Sequence, residues 1–149
     1  MVSDAPVDRL ERELAVLLRR ARAISGQLAR DLHPDLEPGA YGLLLRLSAG
    51  DGARATDLAA YLGIGKPTIS RQLATLERLG LVGRSPDPED ARAQVVVLTP
   101  LGQERLDRVR RARREHMQER LESWSDEDLD QLAALLRRFN ELDDERSVR

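Results

Sequence analysis

The chain has 149 residues, a net charge of −2, 41% hydrophobic side chains and no cysteine. That length can bury one core but hardly two, and the absent cysteines exclude disulfides, thiol-based peroxide sensing and Cys-ligated zinc. No apolar run is long enough to span a bilayer, and Met1-Val2-Ser3-Asp4-Ala5-Pro6 lacks the basic and apolar regions of a signal peptide, so a cytoplasmic protein without membrane contact is expected.

Near the N-terminus Leu10, Leu14, Leu17, Ala21, Ile24 and Leu28 step alternately by four and three, a coiled-coil-like seam that predicts a helix ending near His33-Pro34. A second helix is expected to open around Pro38 and run through Leu43, Leu44 and Leu47 to the Ala49-Gly50-Asp51-Gly52 turn. There is no internal repeat or low-complexity linker, and only the extreme tails read as loose.

The central segment is the most informative. Thr56 is a good helix N-cap, Asp57 sits where the helix dipole favours a carboxylate, and Gly63 ends the short helix. After a four-residue turn, Pro67 fits the first turn of a second helix, whose Ile69, Leu73, Leu76 and Leu79 face inward. That spacing leaves Thr68, Ser70, Arg71, Gln72 and Thr75 for the other faces, the pattern of a helix-turn-helix reader. Arg can bond both acceptors of a guanine, Gln both groups of an adenine, and Ser or Thr either bases or phosphates. Lys66 and the helix N-terminus suit a phosphate oxygen. Taken alone, the same residues also fit the solvated face of a small surface helix.

Next to it a hairpin is expected: Leu81–Arg84, a turn-rich Ser85-Pro86-Asp87-Pro88-Glu89-Asp90 tip, and the β-branched run Ala93–Leu98. Such a wing can put an arginine into a minor groove, with Arg84 and Arg92 as candidates. Asp90 is expected to structure the wing by bonding Arg92 or the wing backbone. The acidic tip lacks the oxygen spacing of a metal loop, and no metal or cofactor is implied. A net charge of −2 predicts that basic side chains are concentrated where phosphate lies.

Beyond the wing, Thr99 caps a long helix beginning at Pro100 and reaching roughly Ser123. Ser125-Asp126-Glu127-Asp128 is a capping box for a last helix with Leu129, Leu132, Leu136, Phe139 and Leu142 along one face. The arginines 108, 110, 111, 113 and 114 lie at helical distances from Glu104, Asp107, Glu115 and Glu119, so i,i+4 pairs account for much of the charge, and a solvated or intersubunit salt-bridged face is expected rather than a second nucleic-acid surface. His33 and His116 stand on different helices without metal-ligand spacing.

The run Leu58-Ala59, Leu62-Gly63-Ile64, Thr68-Ile69-Ser70-Arg71, Leu76 to Val82, Arg84, Pro86 to Arg92 and Leu98-Thr99-Pro100-Leu101-Gly102 resembles the winged helix-turn-helix of the MarR (multiple antibiotic resistance regulator) family. Asp90-x-Arg92 and the Leu-Thr-Pro-x-Gly close are the most specific features, and the likeness covers the whole chain. One departure is Gly65, where the family often has a Ser capping the recognition helix. The resemblance implies a mainly α fold with a small β-wing, as one domain over residues 1–149. Its reader would span about 53–99, flanked by dimerisation helices at about 7–33 and 100–145. It also implies a small aromatic or anionic effector bound between those helices and the reader, for which His33, Tyr41 and Arg46 are the candidates by position.

The expectation is therefore a homodimeric regulator, a repressor, of a palindromic operator in double-stranded DNA. The 66–80 helix would enter the major groove and the 84–94 wing the minor groove. Thr56, Lys66, Pro67, Thr68, Ser70, Arg71, Gln72, Arg84 and Arg92 would contact DNA. Leu10, Leu14, Leu17, Leu129, Leu132, Leu136 and Phe139 would line the dimer interface; a monomeric bundle wrapped round the reader is the alternative for those seams. The competing function is a winged-helix protein-interaction module that no longer holds DNA. An enzyme is disfavoured, since no nucleophile–base pair, metal signature or phosphate-cradling glycine loop is present.

Overall fold

The computed structural model describes residues 4–144, with element order α1 (Asp4–Leu32), α2 (Ala40–Ser48), α3 (Ala55–Leu62), α4 (Lys66–Arg78), β1 (Val82–Pro86), β2 (Gln94–Leu98), α5 (Pro100–Arg120) and α6 (Asp126–Asp144). This is the mainly helical chain with a β-wing that the sequence implies. The extreme tails and residue 145 of the expected C-terminal helix lie outside the described residues.

The chain divides into two compact units, Met1–Arg111 and Ala112–Arg149. The core of the first is aliphatic: Leu32, Leu43, Leu44, Leu58, Ile69, Leu73, Leu76, Val96 and Leu106 are all fully buried. It gathers the C-terminal end of α1, all of α2, the inward stripes of α3 and α4, the root of the wing and the first turns of α5. Each buried leucine contributes about 1.5–3 kcal/mol through removal of apolar surface from water. Arg105 ties α5 back to α1 by donating to the Leu32 carbonyl at 3.1 Å, placing a cation at a helix C-terminus.

Local signals set most of the element ends. Gly63 takes φ +64°, a left-handed cap open to glycine at no steric cost, and the Gly63 and Ile64 N–H groups close the end of α3 on the Ala60 and Ala59 carbonyls. The start of α3 corrects an expectation. Arg54, not Thr56, is the N-cap, and its carbonyl takes the Asp57 and Leu58 N–H groups at 3.1 and 3.0 Å. Thr56 lies already inside the first turn. It has the capping residue type, but the chain reaches helical geometry two residues earlier.

The wing is an antiparallel ladder running from Val82 opposite Leu98 to Pro86 opposite Gln94. Ala53 adds a one-residue third strand, exchanging two backbone hydrogen bonds with Val96 at 3.0 and 2.8 Å. The Leu-Thr-Pro-x-Gly close has a packing reason. Thr99 Oγ1 donates to the Gly80 carbonyl at 2.6 Å and accepts the Gly102 N–H at 3.0 Å, capping α5. The Leu81 carbonyl, which accepts the Thr99 N–H, lies so close to Gly102 that a Cβ there would overlap it. In the second unit, Ser125 Oγ accepts the Asp128 N–H at 3.1 Å and donates to the Asp128 carboxylate at 2.8 Å, opening α6 as its capping sequence predicts.

Candidate nucleic-acid interface

At the start of α4, Gly65 is the N-cap in extended geometry and no side chain caps the helix. The first-turn N–H groups are therefore open to an outside acceptor. Lys66, Pro67, Ser70 and Arg71 are exposed there and Thr68 is half-buried.

Gln72 corrects the sequence reading. It is 8% exposed, because position 72 stands three after Ile69 and four before Leu76 and so falls on the inward stripe. Its Nε2 donates weakly to Glu37 Oε2 at 3.4 Å, and its Oε1 is buried without a hydrogen-bond partner. Arg71 beside it is exposed; its Nη2 donates to Glu37 Oε2 at 3.2 Å, and its Nε forms an ion pair with Oε1 at 3.1 Å.

The wing tip is tied by its carboxylates. Asp87 Oδ2 bonds Arg54 Nε at 2.6 Å, and its Oδ1 accepts the Glu89 N–H at 2.9 Å. The Glu89 N–H, then Arg54, hold the Asp87 carboxyl below the usual carboxylate range although burial opposes this. The same hydrogen bond is the main reason the Arg54 guanidinium lies above its ordinary value. Asp90 Oδ1 accepts the Arg92 N–H at 3.0 Å, so of the two alternatives expected for Asp90 the bond to the wing backbone forms. Arg92 is exposed at the tip, whereas Arg84 sits nearer the root, opposite Val96 and bonded through Nε to Glu77 of α4 at 2.5 Å.

Charge is handled differently from expectation. Residues 53–99 carry six basic and five acidic side chains, so basic residues are not concentrated in the reader. Instead four of the six are paired: Arg54 with Asp87, Arg84 with Glu77, Arg71 with Glu37, and Arg78 with Asp35 at 3.7 Å. Among the described residues Lys66 and Arg92 make no ion pair. On α5, among the described residues, Arg108, Arg110, Arg111 and Arg114 are exposed and have no carboxylate within ion-pair distance, so for these four the face is solvated rather than paired along the helix, and His116 lies 3.9 Å from Glu119.

The three effector candidates have separate surroundings. His33 Nδ1 accepts the Asp35 N–H at 3.1 Å, Tyr41 is buried in the core, and the Arg46 guanidinium lies 5.5 Å from the centroid of the Tyr61 ring on α3. The Arg54–Asp87 anchor, the Glu37–Arg71 fork and the Arg46–Tyr61 stack were not anticipated. Their members are distant in sequence and leave no spacing to read.

The family model of the MarR family matches residues 35–93, from within the α1–α2 loop through the first strand and tip of the wing. The helix-turn-helix-type transcriptional regulator YxaD of Bacillus subtilis is 33% identical over 140 residues, 94% of this chain and 96% of that protein. The chain belongs to the MarR family. A second relative, a putative transcriptional regulatory protein for the hcr operon of Thauera aromatica, is 30% identical over 136 residues, 89% of this chain and 82% of its own. Among solved structures, the repressor CouR bound to a 23-mer DNA duplex matches with a TM-score of 0.65 and 28% identity, over 88% of this chain and 94% of that one. A MarR-family protein from Bacillus stearothermophilus matches with a TM-score of 0.81 and 20% identity, over 95% and 97%, which speaks to the fold alone. Like these MarR-family relatives, the chain is a DNA-binding transcriptional regulator of winged-helix architecture, and an interaction module that has lost DNA is not favoured.

Proposed function

We propose that the protein is a cytoplasmic homodimeric repressor of a palindromic operator, with one reader of about residues 53–99 per protomer. Its α4 enters the major groove and the 84–94 wing the minor groove. Lys66, Pro67, Thr68, Ser70 and Arg71 act from α4, Thr56 from the first turn of α3, and Arg92 from the wing tip. Arg84 joins them only by leaving Glu77, and buried Gln72 supports α4 from within. The helices at about 7–33 and 100–145 pair two copies, through Leu10, Leu14, Leu17, Leu129, Leu132, Leu136 and Phe139, placing the recognition helices roughly 34 Å apart, one turn of DNA.

The observation that carries this reading is the uncapped, exposed N-terminus of α4 in the same unit as a wing whose tip is fixed by Asp87 and Asp90. A helix N-terminus with a lysine receives a phosphate, and fixed geometry lets the neighbouring side chains select bases. A small aromatic or anionic effector near His33, Tyr41 and Arg46 would release DNA by favouring a different spacing of the two readers.

A mobility-shift titration on the chain's own upstream DNA, over a salt series, tests this. With Lys66 and Arg92 as the unpaired cations of each reader among the described residues, about four phosphates are neutralised per dimer, giving a log–log salt slope of about −4. A discrete complex on a palindromic fragment with that shallow slope supports the proposal. Equal affinity for every fragment contradicts it.

A further inference from the structure

The loop joining α1 to α2 sends one carboxylate onto the recognition helix, and its mounting is firm. Leu36 is buried, its N–H bonds the His33 carbonyl at 3.1 Å, and the Glu37 carbonyl accepts the Ala40 N–H at 3.0 Å. Gly39 lets the loop press on α4, since a Cβ there would stand 3.0 Å from Gln72 Nε2. Glu37 is thus fixed in the backbone while its carboxylate remains 45% exposed.

The contact with Arg71 is side-on: Nη2 donates to Oε2 at 3.2 Å, and Nε lies 3.1 Å from Oε1 as an ion pair. A guanidinium has five N–H donors in one plane. Side-on engagement leaves one Nη1 hydrogen and the outer Nη2 hydrogen along the far edge, with the second Nη1 hydrogen on the Cδ side. That free edge is the pair of donors that meets guanine O6 and N7. Arg71 is 65% exposed, and pairs this open to solvent add little to folding stability. In this arrangement the contact gives the long Arg71 side chain one orientation.

We propose that Glu37 is a specificity-determining positioning residue, which holds Arg71 side-on so that its end-on donors select a guanine in the operator. The inference rests on α4 being the DNA reader. The carboxylate also repels phosphate wherever the reader lands, and only a site with the matching guanine repays that cost. Both effects raise discrimination without raising bare affinity.

The test compares wild type, Glu37→Ala, Glu37→Gln, Arg71→Ala and the Glu37→Ala/Arg71→Ala double variant. Each is titrated on the operator and on random duplex at one salt concentration. Melting curves and the 15Nε–1Hε resonance of Arg71 accompany them. Glu37→Ala is expected to lower the operator-to-random affinity ratio about tenfold, with random binding equal or tighter and the melting temperature unchanged. Glu37→Gln, which keeps one acceptor, falls between. The Arg71 Nε–H resonance loses its dispersion in Glu37→Ala. In the Arg71→Ala background, removing Glu37 leaves the ratio unmoved, because the two act as one unit. A ratio that stays level or rises in Glu37→Ala, or effects that add in the double variant, overturns the proposal and makes Glu37 a mask or a bystander. If wild type itself prefers no sequence, the assignment of α4 as reader fails, and Glu37 falls with it.

Discussion

Helices α4 and α6 carry nearly the same apolar pattern and meet opposite fates. On α4, Ile69, Leu73 and Leu76 are 2, 1 and 0% exposed. On α6, Leu132, Leu136 and Phe139, at comparable three- and four-residue spacing, are 42, 39 and 37% exposed. Among the described residues from 112 on, none is buried. Periodicity specifies that a face is to be covered; it does not say by what. The core of the first unit covers α4, whereas the named residues of the α6 face stay more than a third exposed, which the proposed dimer would relieve. The first half of α1 shares this condition, with Leu10 and Leu17 about half exposed.

The comparison breaks most severely if α6 is removed. Deleting the residues after Trp124 is expected to abolish the dimer, or leave an aggregating chain, and to lower operator affinity about a hundredfold or more, since linked half-site contacts gain from effective concentration. Gel filtration and mobility shift check both, and a truncated chain that still bound its operator at full strength would break the comparison.

A sharper version changes one leucine on each helix. Leu73→Ala opens a cavity in a closed core and is expected to cost about 2–5 kcal/mol in urea unfolding. Leu136→Ala is expected to shift the monomer–dimer equilibrium, so its stability loss depends on protein concentration while that of Leu73→Ala does not.

Smaller effects belong to the wing. Arg92→Ala is expected to weaken operator binding by about 1–3 kcal/mol with fold and dimer intact. Asp90→Ala should weaken it in the same direction, although removing an acid by simple charge arithmetic favours DNA. Anisotropy titration separates the two accounts, because tighter binding by Asp90→Ala contradicts a positioning role.

The smallest effect is a pH dependence. Asp87 has a depressed carboxyl, so its stabilisation of the folded wing is whole above the unfolded value of about 3.9 and is lost as pH falls from there through the lower folded value. Asp87→Asn should melt below wild type at neutral pH, with the gap closing in acid. A gap that widened in acid would mean the carboxyl is not held down by Arg54 and the Glu89 N–H.

What was legible follows from range. Gly63, Pro67, Thr99, Gly102 and the Ser125 cap act on neighbours within a few residues, and the structure has each where its type predicts. Arg54–Asp87 and Glu37–Arg71 join residues 33 and 34 positions apart, and the Ala53–Val96 bridge is longer still. Such pairings depend on packing that no local pattern encodes. Gln72 was misplaced for another reason: its polar type outweighed its position on an inward stripe.

The account depends most on two copies covering each other's exposed seams, because the palindrome, the reader spacing and effector release all require a dimer. Sedimentation velocity on the intact chain at micromolar concentration tests this directly. The prediction is a single species at twice the 16.7 kDa chain mass. A well-behaved monomer with its leucine faces open to water would contradict it.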